Sequence, residues 1–372
     1  DRITQLRIAG LRCIADLTLD LTGLTVLIGD NGSGKSTIIE ALELLRQVAR
    51  PGSFINEVVQ RRHGGLHTLL RAGAAELRLG VTVAGSGANL HYDLALGLEN
   101  DSAAIVGEKV QEPRKLKGSR FTAIATVAER IKTTVTAPQT QALATTGGAL
   151  TVSAPQTVKI ASDTSLLFHD DTATLPAVKR LRHALETIEV CIPFDTRPNW
   201  HVADVGNRGN TRAAAQVEVA TRLSRFGDNV ANWYNAQRNG PKDTWDRVLT
   251  RVQLGLGRVL DIRFPPVRRG TIEMAVVFDG PIERCVPIEG LSDGQIAYLC
   301  FVAVAESANG LSIVAIDEPE LHLHPGLAAR VLFMMETVAR SVPVLLTTHS
   351  DSLLDALEDP AQQAILCELD VN

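Results

Sequence analysis

A chain of 372 residues with 45% hydrophobic content has material for one large or two modest domains and a sizeable core. It holds no apolar run of about 18 residues or more, so no membrane span is expected and functions that need one are set aside. The net charge of −5 excludes a polycation, so any nucleic-acid contact must come from a local patch or a partner.

Nine Phe, three Trp and three Tyr are too few for a base-stacking platform. Cysteines 13, 191, 285, 300 and 367 show no C-x-x-C spacing. The first twenty residues alternate like a strand and carry no export signal, so these cysteines read as reduced thiols of a cytoplasmic protein.

Residues 2–8 and 16–20 alternate apolar and polar with a turn expected at Gly10, an antiparallel pair leading to a buried strand at 24–28. Then comes Gly29-Asp30-Asn31-Gly32-Ser33-Gly34-Lys35-Ser36-Thr37, which fits G-x-x-x-x-G-K-[ST]. Ile38, Ile39, Leu42, Leu45 and Val48 follow at helical spacing, so the loop has the strand–loop–helix context of a phosphate-binding loop. Its glycines let the backbone wrap a phosphate, and its N–H groups and the helix N-terminus supply positive potential. Lys35 is placed to reach the phosphates and the Ser36 hydroxyl to ligate Mg²⁺.

Residues 51–75, with Arg61, Arg62 and His63, read as a surface excursion, and 77–83 with 90–98 as a hairpin. Residues 101–162 read as a loop-rich insertion with short strands and a basic run at 114–120. Beyond it we expect a helix at 177–189 and a strand at 190–192, then amphipathic helices at 211–235 and 244–260. Strands are expected at 272–277 and 286–288. No heptad repeat is sustained.

Leu291-Ser292-Asp293-Gly294-Gln295 precedes a helical apolar run, with Ser292 a natural N-cap and Gly294 permitting close backbone approach. A helix N-terminus behind a serine is an anion site, although a plain capped helix has the same pattern. The apolar run 311–316 is a central parallel strand ending in Asp317 and Glu318. Asp317 would hold the Mg²⁺ shell, and Glu318 would orient and deprotonate a water. Two adjacent acids could also open a helix; Pro319 and the other motifs favour catalysis. His322 and His324, two apart, lack a third ligand near by, so loop structure is favoured over a metal pair. A second buried strand at 342–348 ends in His349, whose position suits a hydrogen bond to the γ-phosphate or the attacking water.

In this order the motifs resemble those of the ABC-type ATPases of the structural-maintenance, recombination-repair and overcoming-lysogenization-defect (OLD) group. GDNGSGKST is similar to their Walker A, LSDGQ to their signature, IVAIDEPE to their Walker B, ELHLHP to the segment at the D-loop and TTHS to their switch histidine. GLRCIADLTLDL resembles their opening hairpin, whose arginine, here Arg12, approaches the nucleotide. The likeness is specific over 1–50 and 285–372, loose over 51–100 and 163–284, and absent over 100–162. The lid-loop glutamine has only Gln60 and Gln111 as candidates.

The resemblance implies an α/β P-loop NTPase, an ABC-type head with a parallel core sheet, an antiparallel flanking sheet and a helical signature subdomain. It implies an N-terminal lobe at 1–100, a variable insertion at 101–162, a helical subdomain with connecting strands at 163–284 and a C-terminal lobe at 285–372. It also implies ATP and Mg²⁺ as ligands, and a head-to-tail homodimer burying two ATP molecules. In that sandwich the signature of one head, Ser292, Gly294 and Gln295, caps the γ-phosphate on the other. No long coiled coil is present, which sets chromosome-structure ATPases aside. After His349 only a short helix (352–357) and a strand (364–369) are expected, so an effector, with a nuclease as one candidate, would be a separate protein.

The leading expectation is DNA-associated defence or surveillance; recombination repair at DNA junctions and a non-hydrolysing ATP-sensing scaffold are the alternatives. For direct DNA contact the chain offers Arg61/Arg62, the run 114–120, Arg208/Arg212 and Arg263/Arg268/Arg269.

Overall fold

The computed structural model describes residues 1–115, 122–132, 134–137, 156–197, 210–265, 270–280, 282 and 284–369. Five parallel strands set its frame, in the spatial order Ile188–Cys191, Ile313–Asp317, Val344–Thr348, Leu24–Ile28 and Ala364–Leu366. Because all five run the same way, their C-terminal ends share one edge, where ligands bind in open α/β sheets. Register pairs Asp317 with Thr347 and Thr348 with Ile28, so the ends of the three motif-bearing strands lie level.

Both faces of this sheet are covered, which is why its strands read as unbroken apolar runs. Successive side chains alternate between two cores. Leu27, Ile313, Ala315 and Leu345 join one; Val26, Val314, Ile316, Val344 and Leu346 join the other. On the first face lies the helix Lys35–Val48, against the parallel sheet and the strand Arg2–Leu11. Beyond it is an eight-stranded antiparallel sheet, ordered Ile14–Asp20, Arg2–Leu11, Leu77–Ala84, Leu90–Glu99, Ser102–Lys115, Thr122–Ile131, Thr134–Ala137 and Gln156–Lys159. The second face carries helices Asp293–Glu306 and Pro325–Ala339, with Val230–Arg238 and Lys242–Leu256 packed beyond them. No helix among the described residues is long and apolar enough to cross a membrane.

Several expectations are corrected. The first hairpin turns at Arg12 and Cys13 rather than at Gly10. Gly10 stays in the strand at φ 73° because a side chain there would meet the Glu76 carbonyl, 2.4 Å from where its Cβ would sit. Residues 51–75 are more than a surface excursion: Phe54, Ile55, Val58 and Val59, along one face of a short π-helix at Ile55–Gln60, bury into the first core with Leu66 and Leu69, while Arg61 and Arg62 stay exposed. The described part of 101–162 is long strand that extends the antiparallel sheet, since hydrogen bonding to Leu90–Glu99 supplies what its weak apolar pattern lacks. The expected helix at 211–235 is confined to Val230–Arg238, because Asn210, Thr211 and Arg212 spend their polar groups on distant backbone.

Leu345 sits fully buried on the strand between the two motif strands. Leu345→Ala is expected to lower unfolding free energy by about 2–5 kcal/mol, read from the urea midpoint.

Candidate nucleotide site

The loop between strand Leu24–Ile28 and helix Lys35–Val48 winds through positive φ at Gly32 (83°) and Gly34 (98°), a path that favours glycine. The Lys35 side chain folds back over it. Its ammonium donates to the Gly29 carbonyl at 2.6 Å and to the Asp30 carbonyl at 2.9 Å, and the residue is only 4% exposed. The Ser33 hydroxyl is buried without a partner, so the loop holds an unspent polar group. Asn31 and Ser33 line a cleft between the loop and residues 366–369, and Thr37 lines the cavity on the other side. The last strand clamps the loop: the Cys367 N–H donates to the Ile28 carbonyl at 2.7 Å, and a Cβ at Gly29 would fall 2.2 Å from the Cys367 carbonyl.

Ser36 and Asp317 meet across 281 residues, hydroxyl to carboxylate, at 3.1 Å. Thr347 donates to the same Asp317 oxygen at 2.5 Å. A hydroxyl and a carboxylate side by side form a hard, all-oxygen pair of the kind Mg²⁺ takes when phosphates and waters fill its other positions, so the residues fit that ion. Glu318 follows at φ 47°, a left-handed conformation that costs a non-glycine residue about 1–3 kcal/mol. Its N–H donates to the Thr347 hydroxyl and carbonyl at 3.0 and 3.2 Å, which holds the bend. The bend brings the Glu318 carboxylate within 3.3 Å of His349 Nδ1.

Sequence patterns did not single out Glu320. Its carboxylate accepts from the Thr348 hydroxyl at 2.5 Å and the His349 N–H at 3.2 Å, and lies 3.8 Å from the His349 ring. Glu320 thus holds the histidine-bearing turn against the acid-bearing one. The only signal for it was its place in a run of three acids broken by proline. His324 accepts from the Gly326 N–H at the start of helix Pro325–Ala339, so it caps that helix.

Arg12 occupies the hairpin turn at φ 50° and forks onto Glu40 with contacts of 2.5 and 2.8 Å. His63 reaches the same carboxylate at 3.2 Å. Burial opposes the charge on Glu40, but hydrogen bonds from His63 and Arg12 hold its carboxyl below the ordinary range. Arg12, Glu40, Ser36, Thr37, Asp317 and Ile192 line one cavity of about 500 Å³, so the structure brings the hairpin arginine beside the loop. The lid-loop candidates fare differently. Gln60 ends the π-helix Ile55–Gln60 and Gln111 lies in strand Ser102–Lys115; neither lines this cavity. The segment entering it after strand Ile188–Cys191 presents Ile192. Among the described residues the one glutamine lining it, Gln47, is spent on Glu43 at 2.6 Å.

Ser292 caps helix Asp293–Glu306 in a reciprocal capping box with Gln295. Gly294 backs onto the His322 carbonyl, 2.8 Å from where a Cβ would lie, which explains the glycine. None of Ser292, Gly294 and Gln295 lines either cavity at the phosphate loop. Arg212, read from sequence as part of a DNA patch, is 5% exposed and turned inward. It donates to the carbonyls of Thr196, Glu289 and Leu291 at 2.6, 2.8 and 2.7 Å and to the Asp293 carboxylate at 2.5 Å. It therefore ties the segment after strand Ile188–Cys191 to the capped helix start. These partners are 16 to 81 residues away, which is why no local pattern announced them. Arg208, Arg268, Arg269 and most of the basic run 114–120 lie outside the described residues.

Fold and site together define a P-loop ATPase head of the ABC type. A family model described as an AAA ATPase domain matches residues 2–117, and one described as an AAA domain, putative AbiEii toxin, Type IV TA system, matches 213–355. An OLD nuclease of Thermus scotoductus is 37% identical over 62 residues, 14% of this chain and 12% of that protein, so the match spans about an eighth of that relative's length. Among solved structures, an SMC head bound to the C-winged helix domain of ScpA aligns with a TM-score of 0.52 at 13% identity, covering 96% of this chain and 92% of that one. An SMC head domain from Thermotoga maritima aligns with a TM-score of 0.44 at 12% identity, covering 96% and 93%. These matches and the fold together support an ABC-type ATPase of the structural-maintenance and OLD group.

Two outcomes follow from the side-chain chemistry. Arg212→Met leaves three carbonyls and a carboxylate without their buried partner and is expected to cost about 3–5 kcal/mol, read by chemical denaturation. Glu40 has a lowered folded pKa, so its contribution is present above the unfolded value of about 4.3 and is lost as pH falls through the folded one. Glu40→Gln should therefore be less stable than the parent by about 1 kcal/mol at pH 7, with the gap closing in acid.

Proposed function

We propose that the protein binds ATP with Mg²⁺ and hydrolyses it between two copies arranged head to tail. The observation that carries this reading is the junction at one sheet edge of Ser36 with Asp317 and of Glu318 with His349. In this reading the loop N–H groups and Lys35 hold the β- and γ-phosphates, the lysine exchanging the Gly29 and Asp30 carbonyls for phosphate oxygens. Ser36 and Asp317 would hold Mg²⁺, which neutralises charge on the transferring phosphoryl group. Glu318, fixed by its strained backbone, accepts a proton from the attacking water, and His349 holds that carboxylate and the γ-phosphate in register. Phosphoryl transfer asks for positioning and electrostatics above all, so this small set of groups is sufficient.

Support for the head-to-tail arrangement comes from the signature. Its serine, glycine and glutamine lie outside both cavities at their own loop, so a second copy is the natural source of the group that caps the γ-phosphate. The setting we infer is DNA-associated defence, acting with a separate effector protein. It rests on the similarity to a protein named as an OLD nuclease and on a family model described as a putative AbiEii toxin.

Glu318→Gln is expected to keep ATP binding, lose at least about 100-fold in turnover, and shift from monomer to dimer mass on Mg-ATP. Turnover within tenfold of the parent would remove Glu318 as the base, and a mass indifferent to ATP would remove the sandwich. The trapped dimer then serves as bait. DNA-stimulated turnover with no effector recovered would move the setting to repair.

A further inference from the structure

Away from the nucleotide loop, two helices leave a channel between them. Lys242–Leu256 and Pro325–Ala339 both pack on helix Asp293–Glu306 and barely touch each other. Between them runs a groove of about 760 Å³. Its floor is the ring of Tyr298, whose hydroxyl donates to the Arg251 carbonyl at 2.8 Å. That ring sits so close beneath helix Lys242–Leu256 that a Cβ at Gly255 would lie 2.0 Å from it, so the glycine is what admits the ring.

The lips of the groove are apolar and open. Leu254 on one wall is 57% exposed and Phe333 on the other 64%. In a protein whose other helices bury their apolar faces, two large side chains facing one channel from opposite walls form a contact surface. The rim is cationic. Arg247, Arg251 and Arg330 line the groove, while Glu306 is the one carboxylate in ion-pair contact with them among the described residues. Arg247 and Arg251 both engage it, at 2.7 and 2.5 Å, which leaves three guanidinium groups to one buried acid.

We propose that this groove docks an amphipathic helix of a partner protein that carries acidic residues along its flanks. Helical walls on both sides and an apolar floor favour a third helix, laid in at ordinary helix–helix spacing with its apolar stripe inward. The excess of guanidinium selects the flanks: carboxylates pair with them in two-point geometry, whereas a basic helix is repelled. The wall helices have 15 residues each, so they accommodate an occupant of about four turns. The groove shares no lining residue with the cavities at the glycine loop.

The test is a fluorescence-anisotropy titration of the full chain with two labelled 16-residue helical peptides. Both carry Leu at i, i+3, i+4 and i+7; one has Glu and the other Lys at the flanking positions. The Glu peptide is expected to bind saturably, at least tenfold more tightly than the Lys peptide, and more weakly as salt is raised. Phe333→Asp is expected to weaken it at least tenfold, and Arg330→Glu to reverse the preference between peptides, with unchanged melting temperature as the check on folding. Equal binding of both peptides, no binding of the Glu peptide, or binding indifferent to both substitutions overturns the proposal. A solution mass above the monomer in the parent that Phe333→Asp returns to monomer assigns the groove to a second copy and overturns it as well.

Discussion

The hydrogen bond between Ser36 and Asp317 is the constraint on which the rest of the architecture turns. It joins the first residues of one helix to the end of a strand 281 positions later, and nothing local to either segment can make it. The parallel sheet makes it, by setting strand Val344–Thr348 between the loop strand and the acid strand with their ends level. Everything packed on the sheet then serves to keep that register. The helix Lys35–Val48 is locked between two sheets, so Ser36 cannot drift, and Thr347 holds the other side of the Asp317 carboxylate.

The same edge stores strain. Glu318 lies at a backbone angle that an acidic side chain does not choose, and the Thr347 backbone and hydroxyl keep it there. That bend directs the carboxylate toward His349, while Glu320 secures the histidine's own turn from below. Ion-pair and hydrogen-bond geometry fixed before any ligand arrives is how a site stabilises developing charge without reorganising. The cost is local and is offset by the burial of the two flanking strands, whose side chains divide between two separate cores.

The helical lobe is tied to this edge by polar contacts as well as by packing. Arg212 spends four donor contacts on the segment leaving strand Ile188–Cys191 and on the start of helix Asp293–Glu306. Arg225 reaches the Glu43 carboxylate on the loop helix at 3.5 Å. A buried arginine with this many carbonyl partners holds its segments in one relative position, because any shift strands a charge in low dielectric. These arginines are polar connections between the loop side of the molecule and the segments that pack with helix Asp293–Glu306.

The sequence by itself determined the glycine loop and the helix after it, the acid-ended strand, the serine-capped helix and the histidine after strand Val344–Thr348. Each is a contiguous motif whose chemistry depends on neighbours within a few residues, and the ABC-type fold followed from their order. It also determined the N-terminal strand pair and the hairpin after it, because period-two alternation survives wherever one sheet face is buried. Only the tertiary structure decided what lies between. Strands Ser102–Lys115 and Thr122–Ile131 owe their form to hydrogen bonds with neighbouring strands, so weak apolar patterning read them as short strands in a loop-rich insertion. The burial of the apolar side of 51–75 and the inward turn of Arg212 depend on partners far along the chain, as does the pairing of Arg12 with Glu40, 28 residues on. Local motifs are written in local residues; the contacts that bring them to one edge are made by a sheet whose register no single segment contains.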